Sequence, residues 1–132
     1  MPTKRPTTKW KFAIGTTSFV PGSKLHYLIL DIDSKIDSEL LNALWHIVHN
    51  FKRCSIYIQP TRHGYHVFTN IKSSWRTTLR EIKRIPNVDQ VWINIGEQRG
   101  YFFLADKAHV RLPWKVRRMI LRWEKKAERH QS

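Results

Sequence analysis

The chain predicts an α+β fold: a mostly antiparallel sheet with helices over one face, and a basic helix at the C-terminal end. Three observations carry this. Leu25 to Asp33 is an apolar run of strand length; the segments after Asp37 and after Ser74 space their apolar residues by three and four; short alternating runs bounded by turn residues lie between and beyond them. With 132 residues the sequence is long enough for one domain with a real core, placed at 10–130 behind a flexible basic arm at 1–9. A content of 41% hydrophobic and 12% aromatic residues argues that this domain folds despite its charge.

Met1 to Lys9 is basic and rich in Pro and Thr, as an unanchored terminus is. Trp10 to Ile14 reads as a short edge strand that runs into a loop through Thr16, Pro21 and Gly22. Leu25 to Asp33 follows as the central strand. Asp37 or Ser38 then caps a helix whose Leu40, Leu41, Leu44, Ile47, Val48 and Phe51 fall at helical spacing. Cys54 to Gln59 alternates as a strand, Pro60 to Gly64 turns, and Tyr65 to Asn70 returns as the second arm of a hairpin. Ser73 or Ser74 caps a second helix that places Trp75, Leu79, Ile82 and Ile85 on one side and stops at Pro86. Gln90 to Ile95 and Tyr101 to Ala105 read as a second hairpin around Gly96 to Gly100. From Pro113, residues Val116, Met119, Ile120, Trp123 and Ala127 mark an amphipathic last helix. The order β-α-β-β-α-β-β-α is that of a ferredoxin-like split β-α-β core with additions.

The charge balance points to a partner. There are 24 Lys and Arg against 10 Asp and Glu, a formal +14 and a pI near 10.4. A nucleic-acid backbone, DNA or RNA, is the commonest polyanion to neutralise such an excess, with a membrane surface as the rival. No apolar run is long enough to span a bilayer and the N-terminus lacks the apolar core of a signal peptide, so an intracellular protein that does not enter membranes is expected, in cytoplasm or nucleoid. The single cysteine, Cys54, has no partner for an internal disulfide and reads as a small buried filler.

Strand parity selects the candidate site. On the central strand Leu28, Leu30 and Ile32 share one face, and Tyr27, Ile29, Asp31 and Asp33 share the other. The two acids stand roughly 6 to 7 Å apart along the strand, a spacing suited to Mg²⁺ or Mn²⁺. With helices on one face, the open face collects Tyr27, Asp31, Asp33, His66, Phe68, Trp92 and Asn94. Its aromatics Tyr27, Phe68 and Trp92 are candidates for base stacking. Lys115, Arg118, Arg122, Lys125 and Lys126 on the last helix are candidates for phosphate contact.

The strand ending in Asp31-Ile32-Asp33, the helix after it, and Pro60-Thr61-Arg62-His63-Gly64-Tyr65-His66-Val67-Phe68 together resemble the archaeo-eukaryotic primase and primase-polymerase superfamily over residues 25 to 105. The resemblance implies a template-dependent nucleotidyltransferase. Asp31 and Asp33 would be its metal-binding and catalytic carboxylates, His66 a contact to the incoming nucleotide's phosphates, and Arg62 or Arg99 a further triphosphate contact. Aligned on Gly100-Tyr101, the family's third acid falls on Asn94, which can offer a carbonyl oxygen but no charge. Asp89 and Glu97 are the nearest acids.

Two functions stay open at this level: a minimal primase-polymerase, and a DNA- or RNA-binding module of replication or nucleic-acid processing that keeps fold and basic surface without the reaction. Arg62 to Phe68 also distantly resembles the Gly-aromatic strand of RNA-recognition (RRM-like) domains, which stack bases on central strands. There, however, the acids after the first strand would repel phosphate. His46 with His49, and His63 with His66, have His-x-x-His spacing without Cys or carboxylate partners, so zinc is not expected. No Gly-rich phosphate loop or nucleophile triad is present.

Overall fold

The computed structural model describes residues 13–107 and 112–131. The predicted arm at 1–9 and residues 10–12 of the predicted edge strand lie outside them. The described elements are β1 (Ile14–Thr17), β2 (His26–Ile32), α1 (Asp37–Asn50), β3 (Ile56–Pro60), β4 (Tyr65–Ser73), α2 (Trp75–Arg84), α3 (Gln90–Arg99), β5 (Phe103–Lys107) and α4 (Trp114–Gln131). They make an α+β fold with one two-stranded sheet, β1-β5, and one three-stranded antiparallel sheet of order β2-β4-β3. The chain divides into two compact units, 16–104 and the pair of ends 1–15 and 105–132. Among the described residues no helix is long and apolar enough to cross a membrane.

In the unit 16–104, β2 is buried on both faces: Leu28, Leu30 and Ile32 on one, Ile29 on the other, all within the core. An apolar strand of this kind needs cover above and below. Around it Ala43 and Ile47 of α1, Val67 of β4, Ile82 of α2, Ile93 of α3 and the fully buried Phe102 complete the core. The register slips between Tyr27 and Ile29, and there the Thr69 hydroxyl donates to the Leu28 carbonyl at 2.8 Å. A carbonyl that irregular pairing would leave buried and unpaired is thereby satisfied.

The helices on either side of the β3–β4 hairpin end as their flanking residues dictate. Ser74 caps α2, its hydroxyl accepting from the Thr77 N–H, and the chain leaves the helix at Ile85, before Pro86. α1 differs from expectation at its start: Ile36 is the cap and makes no side-chain bond, while Asp37 and Glu39 lie in the first turn, where the helix dipole favours acids.

One predicted element is overturned. Residues 90–95, expected as a strand of a hairpin, form the first part of α3. The Asp89 carboxylate accepts from the Val91 and Trp92 N–H groups as N-cap, and Gly100, at φ 83°, closes the helix in the left-handed conformation. Burial follows the helical period: Ile93 and Gly96 are buried, Val91 and Ile95 exposed. Gly96 is where Phe102 packs; a Cβ there would stand 2.3 Å from the phenyl ring. The remaining strand of the supposed hairpin, β5, pairs with β1 instead.

At the other end of the unit, the Ser18 N–H donates to the Phe102 carbonyl at 2.8 Å and the Phe102 N–H returns a bond to the Ser18 hydroxyl at 3.0 Å. The same hydroxyl meets His26 Nδ1 at 2.8 Å, and the buried imidazole lies between Phe19 and Trp75, where desolvation lowers its pKa.

Gly64 packs against backbone. A Cβ at this position would fall 1.8 Å from the Ile32 carbonyl oxygen and 2.7 Å from the Ser34 nitrogen, so the β3–β4 turn can seat on the end of β2 only without a side chain. Gly64→Ala is expected to cost about 2 to 3 kcal/mol, read as a fall in thermal midpoint of roughly 10 °C or more. A midpoint within a degree or two of wild type would show that the turn does not need this approach.

Candidate nucleotide-phosphate site

The site lies at the C-terminal end of β2. Pairing puts Asp31 directly opposite His66 on β4, which in turn stands opposite Gln59 on β3, so the three side chains form one row across one face. His66 Nε2 approaches Asp31 Oδ1 at 3.8 Å, with the side chains 12% and 26% exposed. The next row along the same face is Ile29, Phe68 and Tyr57. Phe68 touches His66 edge-on at 6.4 Å. This face is closed at β2, where Ile29 is 2% exposed, and open at β3, where Tyr57 is 67% exposed.

Asp33 follows the last residue of β2 and is exposed. Asp89 comes to the same place by a different route: its N–H donates to the Asp31 carbonyl at 2.8 Å, which pins the start of α3 to the free edge of β2. Burial pushes the Asp31 carboxyl up to about 6, and the charges of Asp89 and Asp33 push in the same direction.

The β3–β4 turn completes the surroundings. Thr61 and Gly64 close it with two bonds, Thr61 N–H to the Gly64 carbonyl at 2.8 Å and Gly64 N–H to the Thr61 hydroxyl at 3.0 Å. Because Gly64 lies against Ile32 and Ser34, the exposed Arg62 and His63 are carried next to the carboxylate end of the strand.

Other residues named from sequence are placed elsewhere. Trp92 belongs to α3, donates from Nε1 to the Phe103 carbonyl at 2.8 Å and stacks on Phe102 at 4.4 Å, so it packs the core and does not line an open sheet. Asn94 is exposed on α3 and accepts from Gln90 at 2.9 Å; it does not occupy a third-acid position. Glu97 pairs with Lys83 at 2.8 Å. Arg99 ends α3, about 15 Å of helical rise from Asp89, and is not brought to the acids. Tyr27 sits under the Lys72 ammonium group at 5.7 Å, about 13 Å along β2 from Asp31. Lys115, Arg118, Arg122, Lys125 and Lys126 are exposed along α4, whereas Ile120 and Glu124 of that helix are buried.

Three residues of the site escape a reading by strand parity alone. Asp89 has a legible signal, since an Asp ahead of a segment that ends in Gly is a helix-cap pattern. Tyr57 and Gln59 follow from the hairpin register once His66 and Phe68 are singled out. Among the described residues no three His, Cys, Asp or Glu side chains form a ready-made metal cage. One or two carboxylates are nonetheless the protein share of many Mg²⁺ sites, in which phosphates and water fill the other positions. No protein-family model, curated protein or solved structure matches the chain.

The raised carboxyl has a stability consequence whose sign is definite. With the folded-state pKa above the ordinary 3.8, Asp31 contributes favourably below about pH 4, and this is lost as pH rises through about 6. Asp31→Asn is therefore expected to stabilise the protein by about 2 kcal/mol at neutral pH and by almost nothing below pH 4. Denaturant titrations at the two pH values check it; an equal gain at both would assign the effect to packing.

Proposed function

We propose that the protein binds nucleic acid and holds a nucleotide's phosphates at the end of β2, as a minimal relative of the primase-polymerase superfamily in which Asp89 takes the place expected for Asn94. The observation that carries the reading is the partly buried Asp31 carboxyl, directly opposite His66 across the sheet and raised to about 6 by burial and by the charges of Asp89 and Asp33. Like charges crowded at a partly buried point are what a divalent cation or a proton relieves. The topology supports the same kinship. On this reading the succession β2-α1-β3-β4-α2 with sheet order β2-β4-β3 corresponds to a ferredoxin-like split unit, with α3 in the place of its fourth strand.

In this reading Asp31, with Asp33 or Asp89, holds Mg²⁺ or Mn²⁺. The bound cation would neutralise phosphate charge and acidify an attacking hydroxyl. Asp89 contributes through the carboxylate oxygen not engaged in capping α3. His66 and Arg62 contact phosphate oxygens, His66 from the sheet and Arg62 from the turn that Gly64 seats beside it. Tyr57 and Phe68, one row further along the face, offer aromatic surface to a base, and Gln59 offers amide donors and an acceptor beside His66. The competing reading is a binding module that keeps the fold and the basic surface without the reaction.

Nucleotide incorporation on primed and unprimed templates with Mg²⁺ or Mn²⁺ separates the two. Extension by the wild type, reduced at least about 100-fold in Asp31→Ala and in Asp89→Asn, is expected for the enzyme. Oligonucleotide binding without extension leaves the module. Mn²⁺ binding followed by electron paramagnetic resonance should weaken as pH falls through about 6, where Asp31 takes up a proton; affinity flat from about pH 7 to about pH 5 would exclude Asp31 as a ligand.

A further inference from the structure

We propose that the outer face of α2 is a second nucleic-acid contact, taking the phosphate backbone of a single strand. The inference rests on the nucleic-acid reading above and adds a surface to it. A groove of ≈ 540 Å³ lies along this helix, lined by Trp75, Arg76, Leu79, Arg80, Lys83 and Arg84. Arg76, Arg80 and Arg84 recur every fourth residue, so they stand along one side of the helix with about 6 Å of rise between them.

Charge and floor together select the occupant. Arg80 and Arg84 share one acid, Glu81, at 3.9 and 3.6 Å, and Lys83 is paired with Glu97 at 2.8 Å. Arg76 enters none of these pairs. Four cations therefore face two carboxylates, and the groove keeps a positive excess that a polyanion complements. Its floor is apolar: Leu79 and the half-buried indole of Trp75, which is held against Phe102 and His26 at 5.0 Å each. Cations flanking a fixed aromatic and an aliphatic side chain suit a strand whose phosphates meet the arginines and whose unpaired bases lie on the floor. A duplex, with its bases stacked inside, would leave that floor unused. At its C-terminal end the helix is joined to the carboxylate site by Ile85 to Val88, which lead directly into Asp89.

The test is the salt dependence of binding to a short labelled oligothymidylate, followed by fluorescence anisotropy between about 50 and 300 mM salt. Wild type is compared with Arg76→Gln/Arg80→Gln and with Lys24→Gln/Lys52→Gln, two exposed cations away from the groove that remove the same charge. For the α2 pair the slope of log affinity against log salt should fall by about 1.4, roughly 0.7 for each phosphate no longer neutralised, with affinity at low salt down about tenfold or more. The control pair should change the slope by less than half as much, and Mn²⁺ binding should be unchanged in both. Equal effects of the two pairs would overturn the proposal and leave only a diffuse positive field. So would weakened binding to phosphatidylserine vesicles with the oligonucleotide unaffected, which would assign the groove to an anionic lipid surface. A wild type that binds no oligonucleotide would overturn both this surface and the reading on which it rests.

Discussion

The hydrogen bond from the Asp89 N–H to the Asp31 carbonyl is the constraint on which the site depends. β2 has β4 on one side only, and this bond closes part of its other edge with the start of a helix. Two consequences follow. The Asp89 carboxylate, already fixed by capping α3, is brought near Asp31, and the charge of one is felt by the other. The strand end that carries Asp31 is also held between a helix start and the seated β3–β4 turn, so its backbone is fixed from two sides. A carboxyl in that position is uncomfortable for the fold and useful for holding a cation, the common opposition between stability and function at polar sites.

Much of this is legible in the residues alone. The central strand, α1, the β3–β4 hairpin, α2 and the last helix all follow from periodicity and cap residues, with ends displaced by only a few positions. The shared face of Asp31 and His66 is readable as parity. The segment 90–95 is not, because Val91, Ile93 and Ile95 alternate as a strand would, and β-branched residues carry that bias. What decides for a helix there is the Asp89 cap, the Gly100 stop and the packing of Phe102 on Gly96, the last being an approach that no local pattern contains. Once the segment is helical, Trp92 and Asn94 leave the sheet and Asp89 arrives.

Parity also does not show that β2 is covered on both sides. Ile29 shares a face with Asp31, and a half-open sheet would leave it in water; instead it is buried, and partial burial is also the largest cause of the raised Asp31 pKa. The electrostatic character of the site thus comes from a tertiary feature, while the identity of its residues comes from the sequence.

The bonds between Ser18 and Phe102 bear on how the chain matures. They join residues 84 apart in sequence, and Phe102, with no exposed surface, fills the space among Trp75, Trp92 and Gly96. A ribosome delivers β2 through α2 before it delivers that ring, so the aromatic cluster can be completed only after residue 102 has been made. Closure of the core must therefore wait for the last part of the unit to emerge.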